Sequence, residues 1–155
     1  MQGGESAAGP APSSGLLSDG TWKVAPVGQE RVELPGDARA PQVARRSVDG
    51  CFGDSLEPDD LASVHLLVTE LVSNAVRHGG ARESDPPIMH LAVAPGCVRV
   101  EVCDTGPGFE PGRPAPYGEG GYGLFLVDSV ATRWGVELDD GTCVWFEFDR
   151  DEGGR

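Results

Sequence analysis

Apolar residues recur at spacings of three and four along one long stretch of the chain, which predicts a helix over residues 58–79. Pro58 suits a first helical position, and Gly79 with Gly80 ends the pattern. The apolar stripe consists of Leu61, Val64, Val68, Leu71, Val72 and Ala75. The spacing therefore predicts an amphipathic helix that packs with one side on a core.

Two later segments instead alternate apolar and polar residues with a period of two, which is typical of half-buried strands. Residues 88–94 and 98–104 form one such pair around Pro95-Gly96, and residues 136–138 and 142–148 form another around Asp139-Asp140-Gly141. Short connections of this kind join antiparallel neighbours. The pattern predicts two hairpins.

Shorter elements complete the prediction. Residues 31–34 read as a strand, residues 40–48 as a helix broken by Gly50 and Gly53, and residues 122–133 as a third helix. Helices and antiparallel strands in this order favour an α+β fold. We expect a two-layer sandwich, with a mixed, mostly antiparallel sheet that carries three helices on one face.

The composition predicts a single domain with two tails. The chain has 155 residues, of which 39% are hydrophobic, enough for one core. Residues 1–20 contain almost no large apolar group, so we expect a flexible tail there and another over residues 150–155. Residues 21–149 form the predicted domain.

The charge of the chain bears on its partners and location. Lys and Arg number 12 against 25 Asp and Glu, and the net charge of −13 disfavours direct contact with nucleic acid or an anionic membrane. No apolar run approaches the roughly 20 residues that span a bilayer, and the first residues do not resemble a secretion signal. We expect a cytoplasmic protein without membrane or nucleic-acid partners.

Four cysteines are present, namely Cys51, Cys97, Cys103 and Cys143. They are too few for a disulfide scaffold and lack the paired spacing of metal knuckles. We expect free thiols that pack in a reducing compartment.

The parity of the strands assigns inward and outward faces. Val98, Val100 and Val102 share one face with Asp104, and the same alternation turns Thr142 inward on the last strand. Because the valine face must lie under the helices, two polar groups point into the layer between sheet and helices. A carboxylate there needs a polar partner or water.

On the long helix, Glu70, Asn74 and His78 follow one another at intervals of four residues and form a stripe beside the apolar one. Two interpretations remain open, an ordinary solvated face and a partly covered cleft. Leu66 and Leu67 flank Glu70 one turn earlier, which favours the cleft.

The segment DTGPGFEPGRPAPYGEGGYG is rich in glycine and leads directly into the third helix. Glycine lets backbone amides approach an anion, and a helix N-terminus favours phosphate. A plain surface loop is the alternative. The segment does not match the P-loop pattern.

Taken together, the motifs ELVSNAVRH, DTGPGF and GGYGLFLVDSVATRWG resemble, in this order, the three nucleotide-binding boxes of the GHKL ATPase superfamily. That superfamily shares the Bergerat, or histidine-kinase-like, fold. The opening RVELPGDARAPQVARR and the closing GTCVWFEF resemble more closely the bacterial anti-sigma factor serine/threonine kinases. The resemblance covers residues 30–148.

The resemblance implies ATP and Mg²⁺ as cofactors and assigns roles to individual residues. Glu70 would be the general base, Asn74 would hold Mg²⁺, and Asp104 would bind the adenine amino group. Thr142 would support adenine recognition, often through water. Glycines and backbone amides would approach base, ribose and phosphates at Gly106, Gly108, Gly121, Gly123 and Leu124.

The resemblance also implies a kinase that phosphorylates an anti-anti-sigma partner and sequesters a sigma factor, usually as a homodimer. A nucleotide-binding and partner-binding module without turnover is the alternative. Tyr122, where many relatives have Arg, favours that alternative, whereas Glu70 favours the kinase. His78 matches a frequent family residue, but its place at the helix C-terminus favours a capping or packing role.

The sheet face opposite the helices carries Trp145 next to cysteines and charged residues of the neighbouring strand. Exposed apolar patches of this kind often mark protein contacts. Self-association or partner binding is one interpretation. The other is cover by the N-terminal segment around Trp22.

Overall fold

The computed structural model describes residues 26–78, 85–105, 121–138 and 141–150, with the backbone alone for residues 78 and 121–125. In chain order its elements are β1 (Gly28–Glu33), α1 (Ala40–Phe52), α2 (Pro58–His78), β2 (Ile88–Ala94), β3 (Cys97–Asp104), α3 (Gly121–Val130), β4 (Arg133–Glu137) and β5 (Thr142–Asp149). Both predicted tails lie largely outside these residues. Among the described helices, none is long and apolar enough to cross a membrane.

The five strands form one sheet in the order β1-β2-β3-β5-β4, and every neighbouring pair is antiparallel. The helices cover one face: α1 packs on β1 and β2, α2 on β3, and α3 on β4. Contacts between α1 and α2 and between α2 and α3 close the helical layer. The predicted two-layer α+β sandwich is confirmed.

The register of the central strands places the valines of β3 under the helices. Val100 lies opposite Leu91 on β2 and Phe146 on β5, and each of the three is at most 1% exposed. One step along the same face, Val102 lies between Met89 and Val144. Burial of such side chains contributes about 1.5–3 kcal/mol each, so this alternation fixes which face is inward.

The apolar stripe of α2 is also confirmed. Val64, Val68 and Val72 are fully buried, and Leu67 joins them in the same core cluster. The helix ends at His78, one residue before the predicted boundary.

Two helix boundaries differ from the sequence prediction. Helix α1 continues through Gly50 to Phe52, because burying the Phe52 ring completely outweighs the roughly 1 kcal/mol that an exposed helical glycine costs. Helix α3 ends at Val130, and Arg133 belongs to β4 instead. There the guanidinium of Arg133 pairs with Glu147, a long-range contact that the helical pattern does not reveal.

The cysteine prediction is wrong for one pair. Cys103 and Cys143 lie directly opposite one another in β3 and β5 and are joined by a disulfide. Their separation of 40 residues hides this register in the sequence. Cys51 and Cys97 are free thiols, and burial raises the pKa of both.

A buried ion network lies on the sheet face that the described helices leave open. The carboxylate of Glu147 is fully buried and accepts hydrogen bonds from Arg99 Nη1 at 3.0 Å and from Arg133 Nε at 2.8 Å. Arg133 also donates to Asp149. One carboxylate thus holds β3, β4 and β5 together through two guanidinium groups.

Trp145 packs within the chain on this open face. The guanidinium carbon of Arg99 lies 4.2 Å from its ring centroid, a cation–π contact. A Cβ at Gly135 would lie 2.8 Å from the ring, so only glycine leaves room for the indole on β4. These contacts account for part of the burial of Trp145, and its role in self-association stays a prediction.

Glu147→Ala should lower the free energy of unfolding by about 3–5 kcal/mol, because two buried arginine side chains would lose their shared carboxylate. Denaturant titration measures this loss. The control, Glu137→Ala, removes an exposed carboxylate of β4 and should stay within about 0.5 kcal/mol of the unmodified protein. Equal effects of the two substitutions would contradict a stabilising network.

Candidate nucleotide site

The two polar groups predicted to face the helices form the last register pair of β3 and β5. Asp104 lies opposite Thr142, next to the outward pair Cys103 and Cys143. By alternation from Val102 and Val144, both Asp104 and Thr142 belong to the helix-facing side. Thr142 is 3% exposed and Asp104 is half-buried. The structure therefore brings together the carboxylate and hydroxyl that the strand parity predicted.

The hydroxyl of Thr142 is buried without a hydrogen-bond partner among the described residues. Leaving a buried polar group unsatisfied costs about 1–3 kcal/mol, and such groups in folded proteins usually meet water or a ligand. A hydroxyl both donates and accepts, which suits a heterocyclic base or a bridging water. The buried Thr142 hydroxyl is therefore chemically suited to a bound adenine ring.

Gly141 allows the backbone before β5 to pack closely against Asp104. Gly141 has a φ of 116°, and a Cβ there would lie 2.3 Å from the carbonyl oxygen of Asp104. The chain before β5 therefore packs backbone to backbone against the end of β3. On the other side, Thr105 Oγ1 donates a hydrogen bond to Asp85, which precedes β2. Both contacts hold the start of β5 and the segment before β2 against the end of β3 near Asp104.

On α2, the side chains of Glu70 and Asn74 are both half-buried. Beside them, Leu67 is fully buried while Leu66 is 45% exposed, so this side of the helix lies at the edge of the core. The structure favours the partly covered cleft over the solvated face. The side chain of His78 lies outside the described residues.

Arg77 is a residue that the sequence reasoning missed. Its Nη2 donates a hydrogen bond to Asn74 Oδ1 at 3.2 Å, and the guanidinium is otherwise exposed. The signal was present in the sequence, since residues three apart on a helix are neighbours. A cation thus lies beside the amide oxygen that the family resemblance assigns to Mg²⁺.

A polar network fixes α2 against α1 next to Glu70. Arg45 of α1 donates to Thr69 Oγ1 at 3.0 Å, and that hydroxyl donates to the carbonyl oxygen of His65. His65 Nε2 lies 2.8 Å from Asp49 Oδ1. These contacts between the two helices limit rotation of α2 about its axis and so fix the side of the helical layer on which Glu70 lies.

The structure describes only some of the residues that were predicted to bind phosphate. Helix α3 begins at Gly121, so Gly123 and Leu124 belong to its first turn, where backbone amides lack partners within the helix. Gly106 and Gly108 lie outside the described residues, as does the side chain of Tyr122. Because α3 packs on α2, its glycine-rich start belongs to the same helical layer as Asn74.

The described residues contain one cluster of potential metal ligands. Glu101, Cys103 and Cys143 have ligand atoms within 4.8 Å of one another. They lie on the open face, away from Asp104, and the disulfide occupies both sulfur atoms. This cluster is separate from the Mg²⁺ position expected at Asn74.

Comparison with known proteins extends this picture. Residues 35–148 match the sequence profile of the histidine kinase-like ATPase domain. The chain belongs to this family. The match spans the strand and helix positions of Asn74, Asp104 and Thr142, and it confirms the resemblance to anti-sigma factor kinases of the GHKL superfamily.

Individual relatives agree with the family. The serine-protein kinase RsbW of Staphylococcus epidermidis is 25% identical over 129 residues, which cover 73% of this chain and 81% of RsbW. An uncharacterised protein of Streptomyces coelicolor is 40% identical over 74 residues, 45% of this chain and 69% of its own. The chain is thus similar to a serine-protein kinase over most of the length of both proteins.

A solved structure supports the fold. The RsbU and RsbW domains of Rv1364c from Mycobacterium tuberculosis superpose with a TM-score of 0.63 and 21% identity over 82% of this chain. The chain corresponds to about a third, 34%, of that longer protein. The similarity confirms the histidine-kinase-like architecture of the domain.

Thr142→Val should leave the unliganded protein as stable as before or raise its free energy of unfolding by about 1 kcal/mol. The substitution keeps the shape and removes a buried hydroxyl that makes no hydrogen bond to any residue the structure describes. Thermal and denaturant unfolding measure the change. Thr69→Val is the matched control, because its hydroxyl is bonded to both Arg45 and His65 and its loss should destabilise. Destabilisation by Thr142→Val equal to that of the control would show that the Thr142 hydroxyl is satisfied within the protein.

Proposed function

We propose that this domain binds ATP with Mg²⁺ and phosphorylates a serine or threonine of an anti-anti-sigma partner, and that it also sequesters a sigma factor. The observation that carries the nucleotide part is the buried Thr142 hydroxyl, which has no hydrogen-bond partner within the described part of the chain and lies beside Asp104. The kinase part is supported by the relation to the serine-protein kinase RsbW and by a half-buried Glu70.

Adenine is recognised by residues where β3 ends and β5 begins. The Asp104 carboxylate accepts a hydrogen bond from the adenine amino group, and the Thr142 hydroxyl binds a ring nitrogen directly or through water. A carboxylate has no proton to donate at neutral pH, so it selects for a donor at that position of the base. Guanine, which carries an acceptor there, is discriminated against.

The phosphates are bound by residues of α2, of the glycine-rich segment and of the start of α3. Asn74 Oδ1 holds Mg²⁺, while the glycines at 106 and 108 give the nucleotide close access to backbone. Amides at Gly121, Gly123 and Leu124 meet the phosphates at the positive end of α3. When bound, Mg²⁺ neutralises charge that develops on the transferred phosphoryl group.

The guanidinium of Arg77 supplies positive charge next to the proposed phosphate site. It donates a hydrogen bond to Asn74 Oδ1, and its exposed side chain would pair with a phosphate of a nucleotide held beside Asn74. A guanidinium pairs well with phosphate oxygens. In a chain with a net charge of −13, this supplies positive charge that Tyr122 does not.

Glu70 serves as the general base. It lies one helical turn before Asn74 on α2, within the partly covered edge of the core. A carboxylate so placed takes the proton of a serine or threonine hydroxyl as that oxygen attacks the γ-phosphorus. The alternative, a nucleotide-binding module without turnover, has no use for this carboxylate.

The partners follow from the family and remain part of the proposal. A sigma factor and an anti-anti-sigma protein are the proposed protein partners, with the domain acting as a homodimer in the cytoplasm. Direct contact with nucleic acid or a membrane is not part of the proposed activity.

Asp104→Asn should weaken ATP binding about 10-fold to 100-fold while changing GTP binding much less, since only adenine donates to this carboxylate. That loss corresponds to the roughly 1.5–3 kcal/mol of a hydrogen bond to a charged group. Isothermal titration calorimetry with both nucleotides measures it. Glu101→Gln, a carboxylate of the same strand on the opposite face, is the control and should leave both affinities unchanged. Equal losses for ATP and GTP would remove Asp104 from base recognition.

Glu70→Gln should retain Mg·ATP binding and lose phosphoryl transfer by about 10²-fold to 10⁴-fold, because the amide keeps the shape but accepts no proton. The measurement is transfer of labelled γ-phosphate to candidate antagonist proteins encoded near the gene. Asp59→Asn, at the exposed start of the same helix, is the matched control and should transfer at the normal rate. Absence of transfer by the unmodified protein, with ATP binding intact, would favour the module without turnover.

A further inference from the structure

The disulfide lies one residue away from the proposed adenine pair on both strands. Cys103 precedes Asp104 on β3, and Cys143 follows Thr142 on β5. The two cysteines lie directly opposite one another with their Cα atoms 4.0 Å apart, and the next register pair is Asp104 with Thr142. The cross-link therefore joins the strands immediately behind the polar pair that faces the helices.

Solvent access separates these two cysteines from Cys97, whereas Cys51 is half-buried as they are. Cys103 and Cys143 are only half-buried, on the sheet face that no described helix covers. Cys97 is 5% exposed, and burial raises the pKa of both Cys97 and Cys51, which disfavours their reactive thiolate forms. A small thiol or disulfide in solution therefore reaches the Cys103–Cys143 pair more readily than it reaches Cys97.

The end of the β3–β5 ladder is where a cross-link matters most. Asp104 and Thr142 form its terminal pair, and terminal pairs of a sheet open more easily than central ones. A covalent bond one step inside limits that opening and holds the carboxylate and hydroxyl in register. Preorganisation of this kind improves affinity because less ordering remains when the ligand binds.

We propose that Cys103 and Cys143 are a redox modification site that takes a low-molecular-weight disulfide, and that its oxidation state sets the affinity of the domain for adenine nucleotide. The coupling to nucleotide rests on the proposed function. In the oxidising step, one protein thiolate attacks the small disulfide and releases one small thiol. The second protein thiolate then attacks the mixed disulfide and releases the other.

The electrons and protons balance in this exchange. The two cysteines lose two electrons and two protons and form one S–S bond, while the small disulfide gains them and becomes two thiols. A dithiol or phosphine reductant reverses the reaction.

The test begins with the intact protein in its oxidised and reduced forms. Thiol counting should find two thiols after oxidation and four after treatment with a phosphine. ADP titration by calorimetry should then give roughly threefold to tenfold tighter binding to the oxidised form. Four thiols after exposure to an excess of oxidised glutathione would overturn the site, and equal ADP affinities would overturn the coupling.

Two variants sharpen the comparison. Cys51→Ala keeps the proposed pair and should retain the redox response in full. The double variant Cys103→Ser, Cys143→Ser should bind ADP like the reduced protein in both conditions, and a redox response retained by it would overturn the assignment.

Amide hydrogen exchange separates this inference from the proposed function. Oxidation should slow exchange at the amides of residues 104, 105 and 142 relative to the reduced protein, with or without nucleotide. If neither form binds nucleotide, the proposed function fails while slower exchange still supports redox control of this strand end. Equal exchange in the two forms would overturn that control.

Discussion

The antiparallel register of β3 against β5 is the constraint on which the rest of the structure depends. It places Val102 opposite Val144 under the helices, and with a period of two this sends Cys103 and Cys143 outward and Asp104 and Thr142 inward. A shift of β5 by one residue would turn Val144 outward and move Cys143 out of line with Cys103, so that the disulfide could not form. The same hydrophobic burial that stabilises the sheet thus determines where the polar pair points.

The two faces of the sheet handle polar groups in different ways. On the open face, the buried carboxylate of Glu147 is paired with Arg99 and Arg133, so its charge is compensated within the protein. On the helix-facing side, the Thr142 hydroxyl is left without a partner among the described residues. This contrast supports the proposal that a ligand binds on the helix-facing side.

Much of this was predictable because short-range periodicity encodes burial. The stripe of α2 and the alternation of β3 predicted the layer order and the inward direction of Asp104 and Thr142. Contacts that depend on long-range register were not predictable in this way. The disulfide joins residues 40 apart in the sequence. Arg133 was predicted to end a helix but begins β4, where it pairs with Glu147. The hydrogen bond from Arg77 to Asn74 could have been predicted, because residues three apart on a helix are neighbours. The roles of Glu70, Asn74 and the glycines rest on the family.

The central claim is that nucleotide binds between α2 and the helix-facing end of β3 and β5. Amide chemical shifts of the unmodified, isotope-labelled protein during titration with Mg·ATP test it most directly. The account predicts saturable shifts concentrated at Asn74, Asp104 and Thr142, with little change at Arg99 and Trp145 on the open face. Shifts confined to the open face, or none at millimolar nucleotide, would contradict it.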